Sequence, residues 1–182
     1  MDGGSVGLFF ILAVVAIIWW FYNESVRHRK HREKVQQDVA LIAANSSGLT
    51  IDNRKRAVDY MWTILEPVHT VLGIEALVVV YLSRDNAIIY TDVRFGDSTS
   101  VSFPPSEIES DAVNHQAKKV VLGHNHPGNH TVPSDNDVHH CVSVYESLTS
   151  QDIQLIDDLV VCGQQLRSIM NTHRFKNMLK EY

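Results

Sequence analysis

The most informative segment of the sequence is VVLGHNHPGNHTVPSDNDVHHC, residues 120–141. It opens as an apolar strand, continues through a loop rich in histidine and proline, and leads into a segment whose apolar residues recur at helical spacing. His124 and His126 are separated by one residue at the end of the strand, so their side chains point to the same side. Ser134 and Asp137 have the spacing of a capping box at the start of the helix. The segment therefore brings two imidazoles and a carboxylate toward one point.

Two converging imidazoles and a carboxylate are a common ligand set for zinc, at about 2.0–2.1 Å from the ion. Three protein ligands leave the fourth position for water, which is the arrangement of a catalytic zinc rather than a structural one. Two simpler interpretations stay open: His124 and His126 can be ordinary loop histidines, and Ser134 with Asp137 can be only a helix cap. A hydrolase also needs a nearby carboxylate that takes a proton from the water.

Helix and strand signals alternate on both sides of this stretch. Asp52 or Asn53 can cap a helix that Pro67 bends and Gly73 ends. A helix opened by Ser106 is expected to run to about residue 116, with Glu109 completing its cap. Further helices are predicted over 138–150 and at the C-terminus, and strands over 76–82, 87–95, 101–103, 119–122, 153–161 and after 164. The order predicts one α/β or α+β domain over residues 53–182.

The N-terminal part has a different composition. Val6–Tyr22 is a run of 17 residues without a charged side chain, which gives about 25 Å of helix. The run ends in aromatic residues and is followed by RHRKHREK, residues 27–34. A membrane anchor fits this pattern better than a cleaved signal peptide, which needs a basic leading segment, or a buried helix. We expect a single transmembrane helix in residues 1–23, with the chain beyond it in the cytoplasm, and a basic helical stalk over 24–52.

The charge balance argues against a protein that binds nucleic acid. The 182 residues carry a net charge of −5, which divides into +2 for residues 1–34 and −7 for residues 35–182. Phosphate binding needs clustered lysine and arginine, so the acidic part is a poor candidate. The two cysteines, Cys141 and Cys162, are too few for a disulfide framework and lie on apolar faces, so we interpret them as small core residues. No pattern in the sequence fixes the oligomeric state.

The combination H-x-H, seven residues, S-x-x-D resembles the zinc motif of the JAMM (MPN-plus, or JAB) metalloprotease domain. The version HNHP with a later PSxxD is similar to the RadC-type branch of that family. The resemblance extends over residues 73–163 and includes the strands IEALVVVYL, AIIYTDVRF and LIDDLVVCG. It implies a single mixed sheet of the cytidine-deaminase-like kind, flanked by helices.

The resemblance also implies a role for each residue of the motif. His124, His126 and Asp137 hold Zn²⁺, and Glu75 occupies the place of the family's glutamate at the start of the first strand. Glu75 takes a proton from the zinc-activated water and passes it to the leaving amine, while Ser134 supports the oxyanion. Asp92, in the second strand, is the rival acid.

The implied activity is hydrolysis of a peptide or isopeptide bond in a protein or peptide substrate, by a domain that the N-terminal helix tethers to the lipid bilayer. Two other functions are weighed beside it: a RadC-like role associated with DNA repair, and a scaffold that keeps the fold without catalysis. The −7 charge of residues 35–182 disfavours the first, and the intact ligand set disfavours the second.

Four departures from the usual RadC-type pattern lie beside the motif. Residues 128–131 read Gly-Asn-His-Thr where Ser-Gly-Asp-Pro is usual, and residues 96–97 read Gly-Asp in place of Gly-Thr. Ser106 stands where arginine is common, and Asp158 stands where histidine is usual. None of these departures removes an implied ligand. The other histidines near the motif are expected to lie on the surface or behind the ligands: His130, His139 and His140.

Overall fold

The computed structural model describes residues 3–97, 101, 103–128, 130–163 and 165–181, and within these ranges it describes the side chains of residues 17–180. The chain divides into two compact units, Met1–Gln37 and Asp38–Tyr182. The first unit contains most of helix α1, Gly3–Ala44. The second unit contains every other helix and strand of the described residues.

Helix α1 includes the segment for which the sequence predicts a membrane anchor. The side chains of residues 1–16 lie outside the described part of the chain, and these residues include most of the apolar run, residues 6–16. Within the described part, no helix combines the length and the apolar character that a bilayer crossing needs. The anchor therefore stays a prediction from the sequence.

Five strands form one mixed sheet in the order β2-β1-β3-β4-β5. Their bounds are Ala76–Leu82 for β1, Ile88–Phe95 for β2, Lys119–His124 for β3, Gln154–Cys162 for β4 and Gln165–Ser168 for β5. Strands β3 and β4 run parallel, and the other neighbouring pairs run antiparallel. All seven residues of β1 are buried, as expected of a strand covered on both faces. The mixed sheet that the sequence predicts is confirmed.

The helices of the second unit flank this sheet. They are α2 (Arg54–Pro67), α3 (Pro105–Asn114), α4 (Asp135–Ser150) and α5 (His173–Glu181). Asn53 caps α2, because its side chain accepts a hydrogen bond from the Arg56 backbone N–H at 3.0 Å. After Pro67 the chain continues as a π-helical turn, which Gly73 ends with a φ of 60°. The expected start and end of this helix are therefore confirmed, and the bend expected at Pro67 stays a prediction.

The two faces of the sheet are covered by different helices. Gly123 is paired with Val78 and faces Met61 of α2. The neighbouring pair, Leu77 with His124, points to the opposite face, where buried residues of α3, α4 and α5 form one core cluster with Leu77. The end of β3 thus presents His124 toward α4 rather than toward α2.

Two local predictions were wrong. Helix α3 begins at Pro105, not at Ser106, and no side chain caps it, since proline at the first position has no N–H that needs a partner. No strand forms over 101–103 in the residues described there, which are Val101 and Phe103. Phe103 is instead a buried loop residue whose carbonyl accepts a hydrogen bond from His140 Nε2 at 2.8 Å.

Candidate metal centre

The candidate centre lies where β3 ends beside the beginning of β1. Because these two strands are antiparallel, residues after His124 lie close to residues before Leu77. Leu77 pairs with His124, Glu75 lies two residues before Leu77, and His126 lies two residues after His124. The side chains of Glu75, His124 and His126 therefore lie on the same face of the sheet. The antiparallel pairing of β1 with β3, together with the alternation of side chains, therefore gathers Glu75, His124 and His126 at one corner of the sheet.

The N-terminus of α4 brings the carboxylate of Asp137 to the same corner. Ser134 Oγ accepts a hydrogen bond from the Asp137 backbone N–H at 3.2 Å, and Asp137 Oδ2 accepts one from the Ser134 backbone N–H at 2.6 Å. These two bonds form the predicted capping box. The cap does not exclude a second role, because it holds the Asp137 carboxylate rigidly beside the two imidazoles.

The donor atoms are spaced as ligands of one small cation. His124 Nε2 and His126 Nε2 are 3.2 Å apart, and Asp137 oxygens lie 3.7 Å from His124 Nε2 and 3.4 Å from His126 Nε2. Tetrahedral bonds of about 2.0–2.1 Å place ligand atoms about 3.3–3.4 Å apart. A carboxylate oxygen of Glu75 completes the group, and all four donor atoms lie within 4.8 Å of one another. The residues therefore fit a zinc-sized ion.

Burial and charge make this corner favourable for a cation. Glu75, His124 and His126 are at most 8% exposed. Burial alone would lower the pKa of His124, but Asp137 and Asp158 outweigh it and raise that pKa to about 10. Burial would likewise raise the pKa of Asp137, but His124 and His126 hold it well below its usual range. The carboxylates thus stabilise positive charge at the point where the donor atoms meet.

The pKa of Glu75 shifts in the opposite direction from that of Asp137. Burial raises it, and this effect is larger than the opposing effect of the two histidines. Glu75 therefore holds a proton more readily than an exposed glutamate does. Asp137 and Glu75 are two carboxylates in one site whose environments separate their proton affinities, which is the pattern of a ligand beside an acid or base.

Each histidine has a polar side chain behind it. Asp158 Oδ1 lies 3.7 Å from His124 Nδ1 and has no hydrogen-bond partner among the described residues, although Asp158 is 2% exposed. His130 Nδ1 lies 3.1 Å from His126 Nδ1. Groups in these positions fix the tautomer and the ring orientation of a metal-binding histidine. Both residues are departures from the usual RadC-type pattern. His130 was expected on the surface or behind the ligands, and it is an exposed residue that contacts His126.

The role of Asp158 was missed in the sequence, where it was noted only as a departure. Its position follows from the pairing of the parallel strands, in which Asp158 lies opposite Leu122. Leu122 is two residues before His124, so the three side chains share one face. Asp158 in the predicted strand LIDDLVVCG could therefore have been placed behind His124 if the sequence had shown that this strand pairs with β3.

The centre opens into a cleft of about 540 Å³. Its walls include the apolar residues Phe103, Pro104 and Pro105 on one side and the loop residue His130 on another. The rival acid Asp92 is not part of the cluster: it pairs with Val79, four residues along β1 from Glu75, and its carboxylate accepts a hydrogen bond from Arg94 Nε at 2.8 Å. Of the two acids considered, the fold brings only Glu75 to the histidines.

A comparison with known protein families agrees with this geometry. Residues 51–174 match the model of the RadC-like JAB domain. The chain belongs to this family. The RadC-like match extends beyond residues 73–163 at both ends, and it includes α2 as well as the whole sheet.

Relatives of this RadC-like domain occur among curated bacterial proteins. A UPF0758 protein of Cupriavidus taiwanensis is 30% identical over 96 residues, and one of Cupriavidus necator is 29% identical over 96 residues. A UPF0758 protein of Herminiimonas arsenicoxydans is 35% identical over 95 residues. Each alignment covers 52% of this chain and 42% of the relative, so this chain spans less than half the length of these relatives.

Proposed function

We propose that this RadC-like JAB domain is a zinc-dependent hydrolase of peptide or isopeptide bonds. The observation that carries the proposal is the cluster itself: a buried glutamate beside two imidazoles and a carboxylate, with donor atoms within 4.8 Å of one another, at the base of an open cleft. A purely structural metal site has no use for a second carboxylic acid with a raised pKa or for access to solvent.

His124, His126 and Asp137 would hold the ion. The set of two nitrogen ligands and one oxygen ligand suits zinc and leaves a position open. When bound, zinc supplies a Lewis acid that polarises a carbonyl and lowers the pKa of water to about 7. Asp158 and His130 would keep the two imidazoles turned so that each Nε2 faces Asp137.

Glu75 would act as the general base and then as the general acid. Its carboxylate takes the proton of the attacking water and returns it to the amine nitrogen as the bond to the carbonyl carbon breaks. The pKa of Glu75 is raised by burial, which brings it toward neutral pH, where proton transfer in both directions is efficient.

Ser134 would stabilise the negative charge that develops on the carbonyl oxygen. Its Oγ already accepts a hydrogen bond from the Asp137 backbone N–H, so the hydroxyl proton is left for donation. The capping box fixes the position of the hydroxyl before the substrate arrives, which is the condition for effective stabilisation of an oxyanion.

The substrate that we propose is a peptide segment of a protein. The cleft volume of about 540 Å³ lies within the usual range for ligand sites, and its wall at Phe103, Pro104 and Pro105 is apolar. Such a wall favours an amino-acid side chain over a nucleic-acid phosphate, in keeping with the charge of −7 on residues 35–182.

The test compares the full chain loaded with zinc with its Glu75→Gln variant. Both are incubated with a peptide library and with a library of branched peptides joined through lysine side chains, and new termini are read by mass spectrometry. We expect Glu75→Gln to hold as much zinc as the wild type while cleavage falls by at least about 100-fold, the effect of losing a general base.

Glu146→Gln is the matched control, since it removes an exposed glutamate of α4. It should leave both zinc content and cleavage unchanged. Unchanged cleavage by Glu75→Gln would mean that another residue acts as the general base. Absence of any cleavage by the zinc-loaded wild type in either library would contradict the proposed hydrolase function.

We also propose that the N-terminal segment attaches the domain to the cytoplasmic side of a lipid bilayer. The support is the uncharged run Val6–Tyr22, the basic residues that follow it, and the exposure of Trp19 and Trp20, which are 66% and 55% exposed. The full chain should stay in the membrane pellet after carbonate extraction, and deletion of residues 2–23 should release it. Recovery of the full chain in the supernatant would contradict the attachment.

A further inference from the structure

Asn125 lies between the two histidines of the candidate centre and is 0% exposed. Side chains alternate along an extended chain, so His124 and His126 face Asp137 while the side chain of Asn125 points the other way. A buried carboxamide needs partners for its polar atoms, and those partners show what the residue does in the fold.

The carboxamide of Asn125 binds the two peptide groups on either side of Glu75. Oδ1 accepts a hydrogen bond from the Ala76 backbone N–H at 2.9 Å, and Nδ2 donates one to the Ile74 carbonyl oxygen at 2.9 Å. The ladder between β1 and β3 ends at the pair Leu77 and His124. Beyond that pair, the Asn125 backbone N–H donates a long hydrogen bond to the Ala76 carbonyl oxygen at 3.4 Å, and the Asn125 side chain adds the two shorter bonds.

The opposite edge of Glu75 is held by the residues that follow β2. The Glu75 backbone N–H donates to the Asp97 carbonyl oxygen, and the Gly96 N–H donates to the Glu75 carbonyl oxygen, both at 2.8 Å. With Asn125 on the other edge, four short hydrogen bonds hold the backbone around Glu75. The two bonds from Asn125 join this backbone to the segment that carries the histidines, and the other two join it to the residues after β2.

We propose that Asn125 is a positioning residue that sets Glu75 against the metal ligands, an inference that rests on the proposed function of the site. Asn125 is covalently joined to both His124 and His126, so a single residue sets the base and two ligands relative to one another. A displacement of about 1 Å in a reacting group costs on the order of 100-fold in rate. A base and ligands from different strands need such a link.

The test uses the full chain with Asn125→Leu, which keeps the branched arrangement of four side-chain heavy atoms but removes both hydrogen bonds. The matched control is Thr91→Val in strand β2 of the same sheet. It removes a buried hydroxyl that is hydrogen-bonded to Tyr60 Oη at 2.8 Å. In the metal-free proteins we expect hydrogen exchange of the Ala76 amide to rise about tenfold or more in Asn125→Leu and to stay unchanged in Thr91→Val.

Equal exchange of the Ala76 amide in the wild type and in Asn125→Leu would overturn the inference. If Asn125→Leu does not fold, hydrogen exchange of the Ala76 amide in the wild type tests the inference instead. Exchange as fast as that of an unprotected amide would be incompatible with the bond from the Ala76 N–H to Asn125. This readout needs neither metal nor substrate.

A second readout follows the position of Glu75. With cobalt in place of zinc and ¹³C in the glutamate carboxyl groups, the Glu75 signal should be strongly shifted in the wild type and in Thr91→Val, and displaced or broadened in Asn125→Leu. An identical signal in Asn125→Leu would show that Asn125 does not position Glu75. If neither zinc nor cobalt binds the wild type, the proposed hydrolase function fails, and the exchange of the Ala76 amide still decides whether Asn125 holds the backbone.

Discussion

At the scale of single residues, His130 gives the most specific prediction. Its Nδ1 lies 3.1 Å from His126 Nδ1, on the side of the ring away from Asp137. We expect His130→Ala to weaken zinc binding by about 10- to 100-fold, because His126 loses the group that fixes its tautomer and orientation. The measurement is a competition titration with a chelator of known affinity.

His139→Ala is the control for that experiment, since His139 is exposed on α4. It should leave the affinity for zinc unchanged. Equal affinity of the His130→Ala variant and the wild type would mean that the contact between His130 and His126 does not support the metal site.

At the scale of helices and strands, the capping role of Ser134 in α4 can be separated from its proposed catalytic role. Ser134→Ala should lower the free energy of unfolding by about 1 kcal/mol, because the Asp137 N–H loses its acceptor. Asn53→Ala removes the cap of α2 at similar cost but lies outside the cleft. Both variants should unfold at a temperature about 2–4 °C lower, and only Ser134→Ala should lower the rate of hydrolysis.

Thermal unfolding and cleavage of the peptide libraries measure these two effects. Equal loss of cleavage in Ser134→Ala and Asn53→Ala would assign the effect of Ser134 to stability alone. Cleavage by Ser134→Ala at the wild-type rate would mean that Ser134 does not stabilise the oxyanion.

The contact between β3 and α2 gives a second prediction at this scale. Gly123 immediately precedes His124, and a Cβ at this position would overlap Met61 Sδ. Met61 is 0% exposed, so we expect Gly123→Ala to lower the free energy of unfolding by about 1–3 kcal/mol through overpacking. Urea denaturation measures this loss. The loss should be smaller when Gly123→Ala is made in a Met61→Ala background, and an equal loss in both backgrounds would contradict the overlap.

Local sequence patterns predicted the elements that their own residues determine. The strand-loop-helix segment with its capping box, the cap at Asn53 and the end at Gly73 are confirmed, since each depends on neighbours in sequence. The cap at Ser106 and the strand over 101–103 were wrong, because Pro104 and Pro105 set the start of α3 and Phe103 packs into the core. The position of Asp158 and the hydrogen bonds of Asn125 both depend on pairing between strands that are distant in sequence. A local sequence pattern does not show which strands pair.

At the scale of the whole molecule, the site is a product of topology. His124, His126 and Asp137 come from one continuous segment, but Glu75 joins them only because β1 lies antiparallel beside β3. Periodicity predicts β1 without saying which strand it pairs with, so the position of Glu75 came from the resemblance to RadC-type domains. The family match over residues 51–174 and the cluster of four residues both support it.

The zinc content of the full chain tests the central claim most directly. Protein incubated with zinc and then desalted is compared for the wild type, the His124→Ala/His126→Ala double variant and the His28→Ala/His31→Ala double variant, which removes two exposed histidines of α1. We predict about one tightly held zinc per chain in the wild type and in the His28→Ala/His31→Ala variant, and almost none in the His124→Ala/His126→Ala variant. Full zinc in the folded His124→Ala/His126→Ala variant, or none in the wild type, would contradict the account.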